Sequence, residues 1–174
     1  MNKSKTIFII TGPCGVGKST ISARLAQSFE KSVHINGDLI YHMVVGGYLP
    51  PWKDNGELMR LMWSNVSDLT KNYLERSYDI VVDYIVFPEH LKYLSDLRKR
   101  SGIILKYVIL MANEEVIRER DNNRLTEQVM GERAIEVLNE FREKKIEDRY
   151  IVDTSDKSIE EIVFEIKMGE RFIV

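Results

Sequence analysis

The sequence has a single cysteine, no excess of positive charge and no long apolar run. Cys14 has no second cysteine to pair with, which excludes an intrachain disulfide framework. The 25 lysines and arginines are offset by 27 aspartates and glutamates, and the resulting net charge of −2 argues against a dedicated nucleic-acid binder. The N-terminus has no signal-peptide core, and no apolar stretch approaches membrane-spanning length. We therefore expect a soluble, cytoplasmic protein.

The 174 residues fall within the size range of one domain that can bury a sizeable core. Apolar, strand-like segments lie at residues 6–10, 33–36, 79–83, 103–110 and 150–153. Helix-like segments alternate with them, at residues 19–29, 58–73, 88–100, 132–147 and 159–166, with a further charged helix before residue 121. This alternation predicts an α/β fold in three α/β/α layers, with a five-stranded parallel sheet covered on both faces.

The stretch ITGPCGVGKST, residues 10–20, directly follows the first strand-like segment. Gly12, Gly17, Lys18 and Ser19 have the spacing of a phosphate-binding loop. Its glycines allow a tight turn in which backbone N–H groups point into one concavity, beside the positive end of the next helix. Lys18 would reach the β- and γ-phosphates of a nucleotide, and the Ser19 hydroxyl would complete the coordination of Mg²⁺.

Cys14 lies inside this loop, where the backbone geometry matters more than the side chain. A side chain that fills space is one interpretation. The alternative is a redox-sensitive thiol beside a helix N-terminus.

Two carboxylates follow strands, at the edge of a parallel sheet where ligands bind. Asp38 comes after the second strand and could orient, or accept the proton of, a hydroxyl that attacks the γ-phosphate. The alternative is that Asp38 caps a helix starting at Leu39. Asp83 ends the third strand, as expected for an acidic residue that helps hold Mg²⁺ or its waters. A solvated strand end is the alternative for Asp83.

Arg120 and Arg124 are four residues apart and would share a helix face if the helix extends that far. Arginines that close over a transferring phosphoryl group stabilise its negative charge. A surface helix with alternating charges is an equally good interpretation, since acidic residues lie nearby.

Residues 42–52, HMVVGGYLPPW, combine paired glycines and paired prolines with a tryptophan. They predict a rigid turn with an aromatic surface that could form a substrate wall, although a packing loop explains them nearly as well. His34 and His42 are weak signals, because three histidines without clustered cysteines form no zinc pattern.

In their order along the chain, the phosphate loop, the two carboxylates and the arginine-bearing break resemble the small-molecule kinases of the phosphate-loop superfamily. That group contains gluconate, shikimate and nucleoside monophosphate kinases. From NGDLIYHM through GGYLPPW, the sequence is most similar to short bacterial proteins described as gluconate kinases. Tunicamycin-resistance and chloramphenicol-phosphotransferase proteins look like relatives. The resemblance covers nearly the whole chain and implies a P-loop NTPase fold like that of nucleoside monophosphate kinases.

The resemblance also implies roles for individual residues. Asp38 would meet the acceptor hydroxyl, and Ser19 and Asp83 would serve the metal. Arg120 and Arg124 would belong to a mobile lid at about residues 118–131, one near adenine and one on the phosphates. The residues implied to bind ATP are Gly12, Cys14, Gly15, Val16, Gly17, Lys18, Ser19, Thr20, Arg120 and the adenine-bordering turn Asp153, Thr154 and Ser155. Those implied in catalysis are Lys18, Asp38, Arg120 and Arg124.

These observations predict a single kinase domain over residues 1–174 that uses ATP and Mg²⁺ to phosphorylate a hydroxyl of a small molecule. The resemblance points to a gluconate-like sugar acid or a related metabolite. Two other classes stay open: a kinase that acts on an antibiotic or on a nucleic-acid end, and a nucleotide-dependent switch NTPase that works with a protein partner. The sequence predicts no membrane partner and leaves the oligomeric state open.

Overall fold

The structure, a computed structural model, describes residues 4–94, 97, 102–126 and 129–174. Within them, the strands are β1 (Lys5–Thr11), β2 (Ser32–Asn36), β3 (Asp79–Asp83), β4 (Ile103–Met111) and β5 (Ile151–Asp153). The α-helices are α1 (Lys18–Gln27), α2 (Gly37–Tyr41), α3 (Glu57–Leu74), α4 (Glu114–Asn122), α5 (Glu132–Glu143) and α6 (Ile159–Met168). Short 3₁₀ helices lie at Pro88–Leu94, Asp148–Tyr150 and Glu170–Phe172.

The five strands form one parallel sheet in the order β2-β3-β1-β4-β5. Successive side chains of β1 enter opposite cores: Ile7 and Ile9 pack with α3, whereas Phe8 and Ile10 pack with α1 and α6. Both faces of the sheet are therefore covered by helices. The predicted three-layer α/β/α fold of the P-loop NTPase type is confirmed.

The strand register aligns the carboxyl ends of three neighbouring strands. Asp83 of β3 lies opposite Ile10 of β1 on one side and opposite Asn36 of β2 on the other. Side chains that follow these strands therefore meet at one edge of the sheet, where ligands bind in folds of this type.

Two predicted helices differ from the observed ones. The segment predicted as a helix over residues 88–100 starts as a 3₁₀ helix at Pro88–Leu94, and residues 95–96 and 98–100 lie outside the described part. The helix predicted to reach residue 147 ends at Glu143, because Lys144 is extended and the chain turns so that Ile146 and Tyr150 pack into the core beside α3. Within the residues described, no helix has the length and apolarity needed to cross a membrane.

A buried hydroxyl anchors the chain just after β3. The Oγ1 of Thr11 accepts a hydrogen bond from the backbone N–H of Val86 over 2.7 Å. The Tyr107 hydroxyl donates to the carbonyl oxygen of the same residue over 2.6 Å. Thr11 and Val86 are fully buried, so no water can replace these bonds without local opening.

We predict that Thr11→Val lowers the free energy of unfolding by about 1–3 kcal/mol, because the Val86 N–H is left buried without an acceptor. The matched control is Thr70→Val, since the buried Thr70 hydroxyl has no hydrogen-bond partner among the described residues. That control should be as stable as the unmodified protein or more so. Urea unfolding measures both variants, and equal losses in the two would contradict the role assigned to Thr11.

Candidate active site

The loop between β1 and α1 has a backbone that only glycine accommodates at its first position. Gly12 has φ of 138°, and a Cβ built there would lie 2.1 Å from the carbonyl oxygen of Leu110. Gly17, with φ of 97°, is the N-cap of α1, and no side chain caps this helix end. With no acidic residue in the first turn either, the N–H groups at the start of α1 are available to an anion such as a phosphate.

Lys18 is half-buried and bends back over the loop. Its Nζ donates to the carbonyl oxygens of Gly12 and Pro13, both over 2.9 Å. Burial lowers the pKa of Lys18, and the acidic side chains of Asp38 and Asp83 oppose this by raising it. Two carboxylates therefore lie within electrostatic reach of the loop lysine.

Cys14 is partly buried and packs against the core on the α1 side of the sheet. This packing favours the interpretation of Cys14 as a side chain that fills space.

Ser19 and Asp83, both predicted metal residues, are in direct contact. The Ser19 hydroxyl donates to Oδ2 of Asp83 over 2.6 Å. The Asp83 side chain is 2% exposed, and its second oxygen, Oδ1, lies 2.8 Å from Nε2 of His34. The Ser19 hydrogen points to Asp83, and Ser19 Oγ accepts only a long hydrogen bond, 3.5 Å from Nδ2 of Asn36, so a lone pair of Oγ is available to a cation.

These adjacent oxygens fit Mg²⁺, which prefers oxygen ligands and takes only one or two from the protein beside phosphates and water. The described part of the chain contains no cluster of three or more His, Cys, Asp or Glu side chains that could hold a metal alone. A metal here would take its remaining ligands from phosphates and water.

Asp38 lies in the first turn of α2, but it does not cap that helix. The N-cap is Asn36, whose side-chain oxygen accepts from the N–H of Leu39 over 3.0 Å. The alternative interpretation of Asp38 as a helix cap is thus wrong. Partial desolvation raises the pKa of Asp38 from its ordinary value, and the nearby charge of Lys18 opposes this by lowering it. The side chain is exposed to solvent, so it is accessible from outside the protein. Asp38 and Lys18 are thus close enough for their charges to interact.

A close packing contact fixes the start of α2. A Cβ on Gly37 would lie 2.7 Å from the ring of Tyr84, closer than real Cβ atoms approach. Tyr84 is itself buried, donates its backbone N–H to the Ile10 carbonyl over 3.3 Å, and packs edge-on against Trp63. The absence of a side chain at Gly37 allows Asp38 to lie beside the ends of β1 and β3.

The turn predicted at residues 42–52 is held by its own hydrogen bonds. The Tyr41 hydroxyl donates to the Leu49 carbonyl over 2.9 Å. His42 contacts the Asp38 carbonyl through Nδ1 over 2.7 Å and the Tyr48 hydroxyl through Nε2 over 3.1 Å, with its ring stacked on Tyr48. The segment is therefore a defined structure anchored on α2.

The stretch of chain that follows Asp38 exposes apolar side chains. Leu39 is 71% exposed, Val45 88% and Trp52 62%, and Met43 and Leu49 are exposed as well. We call these five residues the apolar wall. The residues from 39 to 52 include no lysine, arginine, aspartate or glutamate. Packing does not explain the wall, because its side chains point into solvent.

Arg120 joins the phosphate loop to the turn after β5. Its guanidinium donates to the Thr154 hydroxyl over 3.0 Å and to the Thr154 carbonyl over 2.9 Å, and it reaches the Val16 carbonyl over 3.4 Å. The structure thus brings together Arg120 and the predicted adenine-bordering turn, Asp153–Ser155. The interpretation of a surface charge network applies instead to Arg118, which pairs with Glu114 and Glu132.

Arg124 follows the end of α4 at Asn122, so it does not share a helix face with Arg120. Its guanidinium is 3.4 Å from the Asp121 carboxylate. Burial has the largest effect on the pKa of both Lys18 and Asp38, and the charge of Arg124 adds a smaller lowering to each. Arg124 is therefore a further charge within electrostatic reach of Lys18 and Asp38.

Sequence reasoning assigned no role to Asp121, which follows the charged helix predicted before residue 121. The side chain is buried and accepts from the N–H groups of Met130 and Gly131 over 2.9 and 2.8 Å. It thereby ties the end of α4 to the start of α5 and closes the base of the predicted lid. Residues 127–128 of that lid lie outside the described residues. The sequence signal that could have indicated this contact is Gly131, which lies directly before an apolar helix.

The sequence profile of the AAA domain family matches residues 8–158, which include the phosphate loop and the turn after β5. The chain belongs to the AAA domain family. No curated protein matches it significantly.

Solved structures with similar folds cover nearly the whole AAA domain protein. The tunicamycin resistance protein of Deinococcus radiodurans superposes with a TM-score of 0.69 at 18% identity, over 95% of this chain and 96% of that one. A gluconokinase from Sinorhizobium meliloti 1021 superposes with a TM-score of 0.62 at 20% identity, over 95% of this chain and 91% of that one. Thymidylate kinase from Candida albicans superposes with a TM-score of 0.62 at 15% identity, over 97% of this chain and 94% of that one. At these identities the likeness is one of fold.

We predict that Gly37→Ala lowers the free energy of unfolding by about 1–3 kcal/mol, because the new methyl group overlaps the Tyr84 ring. Gly46→Ala is the matched control, since a Cβ at Gly46 meets no atom within 4 Å. Its effect should stay within about 0.5 kcal/mol. Urea unfolding of both variants tests this; a Gly37→Ala variant as stable as its control would show that α2 is not fixed by this contact.

Proposed function

We propose that this AAA domain protein transfers the γ-phosphoryl group of Mg·ATP to a hydroxyl of a small molecule. The observation that supports the proposal is that Asp38, in the first turn of α2, follows β2 at the sheet edge where the carboxyl ends of β1, β2 and β3 are aligned. The phosphate loop follows β1 at the same edge, and the charges of Asp38 and Lys18 interact. A switch NTPase needs the loop, but it does not need an acidic side chain beside it.

In the proposed reaction, the acceptor oxygen forms a bond to the γ-phosphorus as the bond to the β,γ-bridging oxygen breaks, and ADP leaves. Asp38 orients the acceptor hydroxyl and takes its proton. Lys18 and the N–H groups at the start of α1 stabilise the charge on the phosphate oxygens, and Arg124 adds a cation on the lid side. Ser19 and Asp83 would hold Mg²⁺, which neutralises charge on the β- and γ-phosphates.

The apolar wall bears on the acceptor. A gluconate-like sugar acid carries a carboxylate, for which residues 39–52 offer no lysine or arginine. An uncharged acceptor with an apolar portion would instead cover the exposed Leu39, Val45 and Trp52. This observation favours a second candidate function, an antibiotic-modifying kinase. Because a gluconokinase and a tunicamycin resistance protein share the fold, both acceptor classes belong in the test.

We also keep, as part of this proposal, a single catalytic domain over residues 1–174 and a cytoplasmic location. The unpaired Cys14 supports the location, because it suits a reducing compartment.

We predict that Asp38→Asn lowers kcat by about 10²-fold or more while ATP affinity changes little, because the amide keeps the shape and loses the proton acceptor. Lys18→Ala should abolish turnover and weaken ATP binding. A coupled assay of ADP release gives kcat, and calorimetry gives the dissociation constant of ATP. Unchanged turnover in Asp38→Asn would show that Asp38 does not serve the acceptor.

We predict that one class of hydroxyl compound stimulates ADP release from Mg·ATP well above the Lys18→Ala blank. The panel comprises sugar acids, polyols, nucleosides and tunicamycin- or aminoglycoside-type drugs. Stimulation by neutral compounds with an apolar portion supports the second candidate, and stimulation by sugar acids supports the first. ATP binding without stimulation by any compound would favour the switch NTPase with a protein partner.

A further inference from the structure

One histidine contacts the proposed metal site without a role in the reaction described above. His34 lies on β2, the edge strand of the sheet, opposite Val81. Side chains alternate along a strand, and Ile35 enters the core on the α3 side. His34 and Asn36 therefore both face the α1 side, where Asp83 and Ser19 meet.

We infer that His34 is a positioning residue, which fixes the Asp83 carboxylate in the orientation that holds the nucleotide-bound metal. The inference rests on the proposed function, because that proposal assigns Asp83 to Mg²⁺. Nε2 of His34 lies 2.8 Å from Oδ1 of Asp83, and the Ser19 hydroxyl lies 2.6 Å from Oδ2. Because an ionised carboxylate only accepts hydrogen bonds, Nε2 is the donor.

Each oxygen of Asp83 thus has its own donor, and the two donors come from different elements. A carboxylate held at both oxygens cannot rotate, so its remaining lone pairs keep one direction. Among the described residues, the further hydrogen bond to the Asp83 side chain comes from Nδ2 of Asn36, which lies 3.5 Å from Oδ2 and not on the Oδ1 side. Without His34, Oδ1 would lose its donor in a site where the Asp83 side chain is 2% exposed.

A purely structural role for His34 would have a different signature. The His34 side chain is 23% exposed, and its removal could lower stability by leaving a buried charge with fewer donors. Such a loss alone would not change how tightly the folded protein holds a metal. Metal affinity is therefore the readout that separates positioning from structural support.

The test measures the affinity of Mn²⁺, an EPR-visible substitute for Mg²⁺, for the protein saturated with ADP; the same titration without protein corrects for binding to ADP alone. We predict that His34→Phe weakens Mn²⁺ binding by about tenfold, the lower end of the effect of losing a residue that orients a metal ligand. His34→Gln keeps an N–H donor and should recover most of the affinity. ADP affinity without metal should not change. If the His34→Phe variant fails to fold, His34→Asn replaces it, because the asparagine amide is too short to reach Oδ1 of Asp83.

The Asp83→Asn variant and the double variant that combines Asp83→Asn with His34→Phe complete a double-mutant cycle. If His34 acts through Asp83, its loss should have little further effect once Asp83 is replaced. Fully additive effects, equal losses in the glutamine and phenylalanine variants, or a His34→Phe variant with unchanged Mn²⁺ affinity would each overturn the inference. If Asp83→Asn itself leaves Mn²⁺ affinity unchanged, the metal assignment within the proposed function fails, and the inference fails with it.

Discussion

The burial of the Asp83 carboxylate is the constraint on which this edge of the sheet depends. An ionised carboxylate that is 2% exposed is stable only where several donors compensate its lost hydration. Among the described residues, the donors within 3 Å of it are Ser19 on α1 and His34 on β2. The phosphate loop, which sets the position of α1, and the register of β2 must both be right for this charge to be tolerated. One buried group therefore joins the phosphate loop and α1 to the edge strand of the sheet.

Features governed by local periodicity could be predicted from the sequence. The apolar runs identify all five strands to within a residue or two, and the glycine spacing identifies the phosphate loop. The meeting of strand ends follows from parallel pairing, so the proximity of Ser19 and Asp83 was expected once the loop was recognised. The position of Asp38 near the loop follows from the same rule.

Features governed by distant contacts could not be predicted. Asp38 and Asn36 are both good caps by residue type, and only the folded backbone shows that Asn36 accepts from the Leu39 N–H. The Gly37–Tyr84 contact likewise joins residues far apart in the chain. The early end of α5 follows from the packing of Ile146, and the role of Asp121 from N–H groups at residues 130–131. A lone histidine on a strand gives no sequence signal, because only the register of β2 brings His34 to Asp83.

The two halves of the candidate site are held by largely separate contacts. On the nucleotide side, Arg120 ties the loop to the turn at Thr154. On the other side, the segment after α2 is held by its own bonds among Tyr41, His42 and Tyr48 and their neighbours. Side chains of the apolar wall can therefore change with little effect on the contacts that hold the phosphate loop. In the reaction proposed above, acceptor specificity would then depend on the apolar wall rather than on the sheet, in the way that one fold carries different functions on different sites.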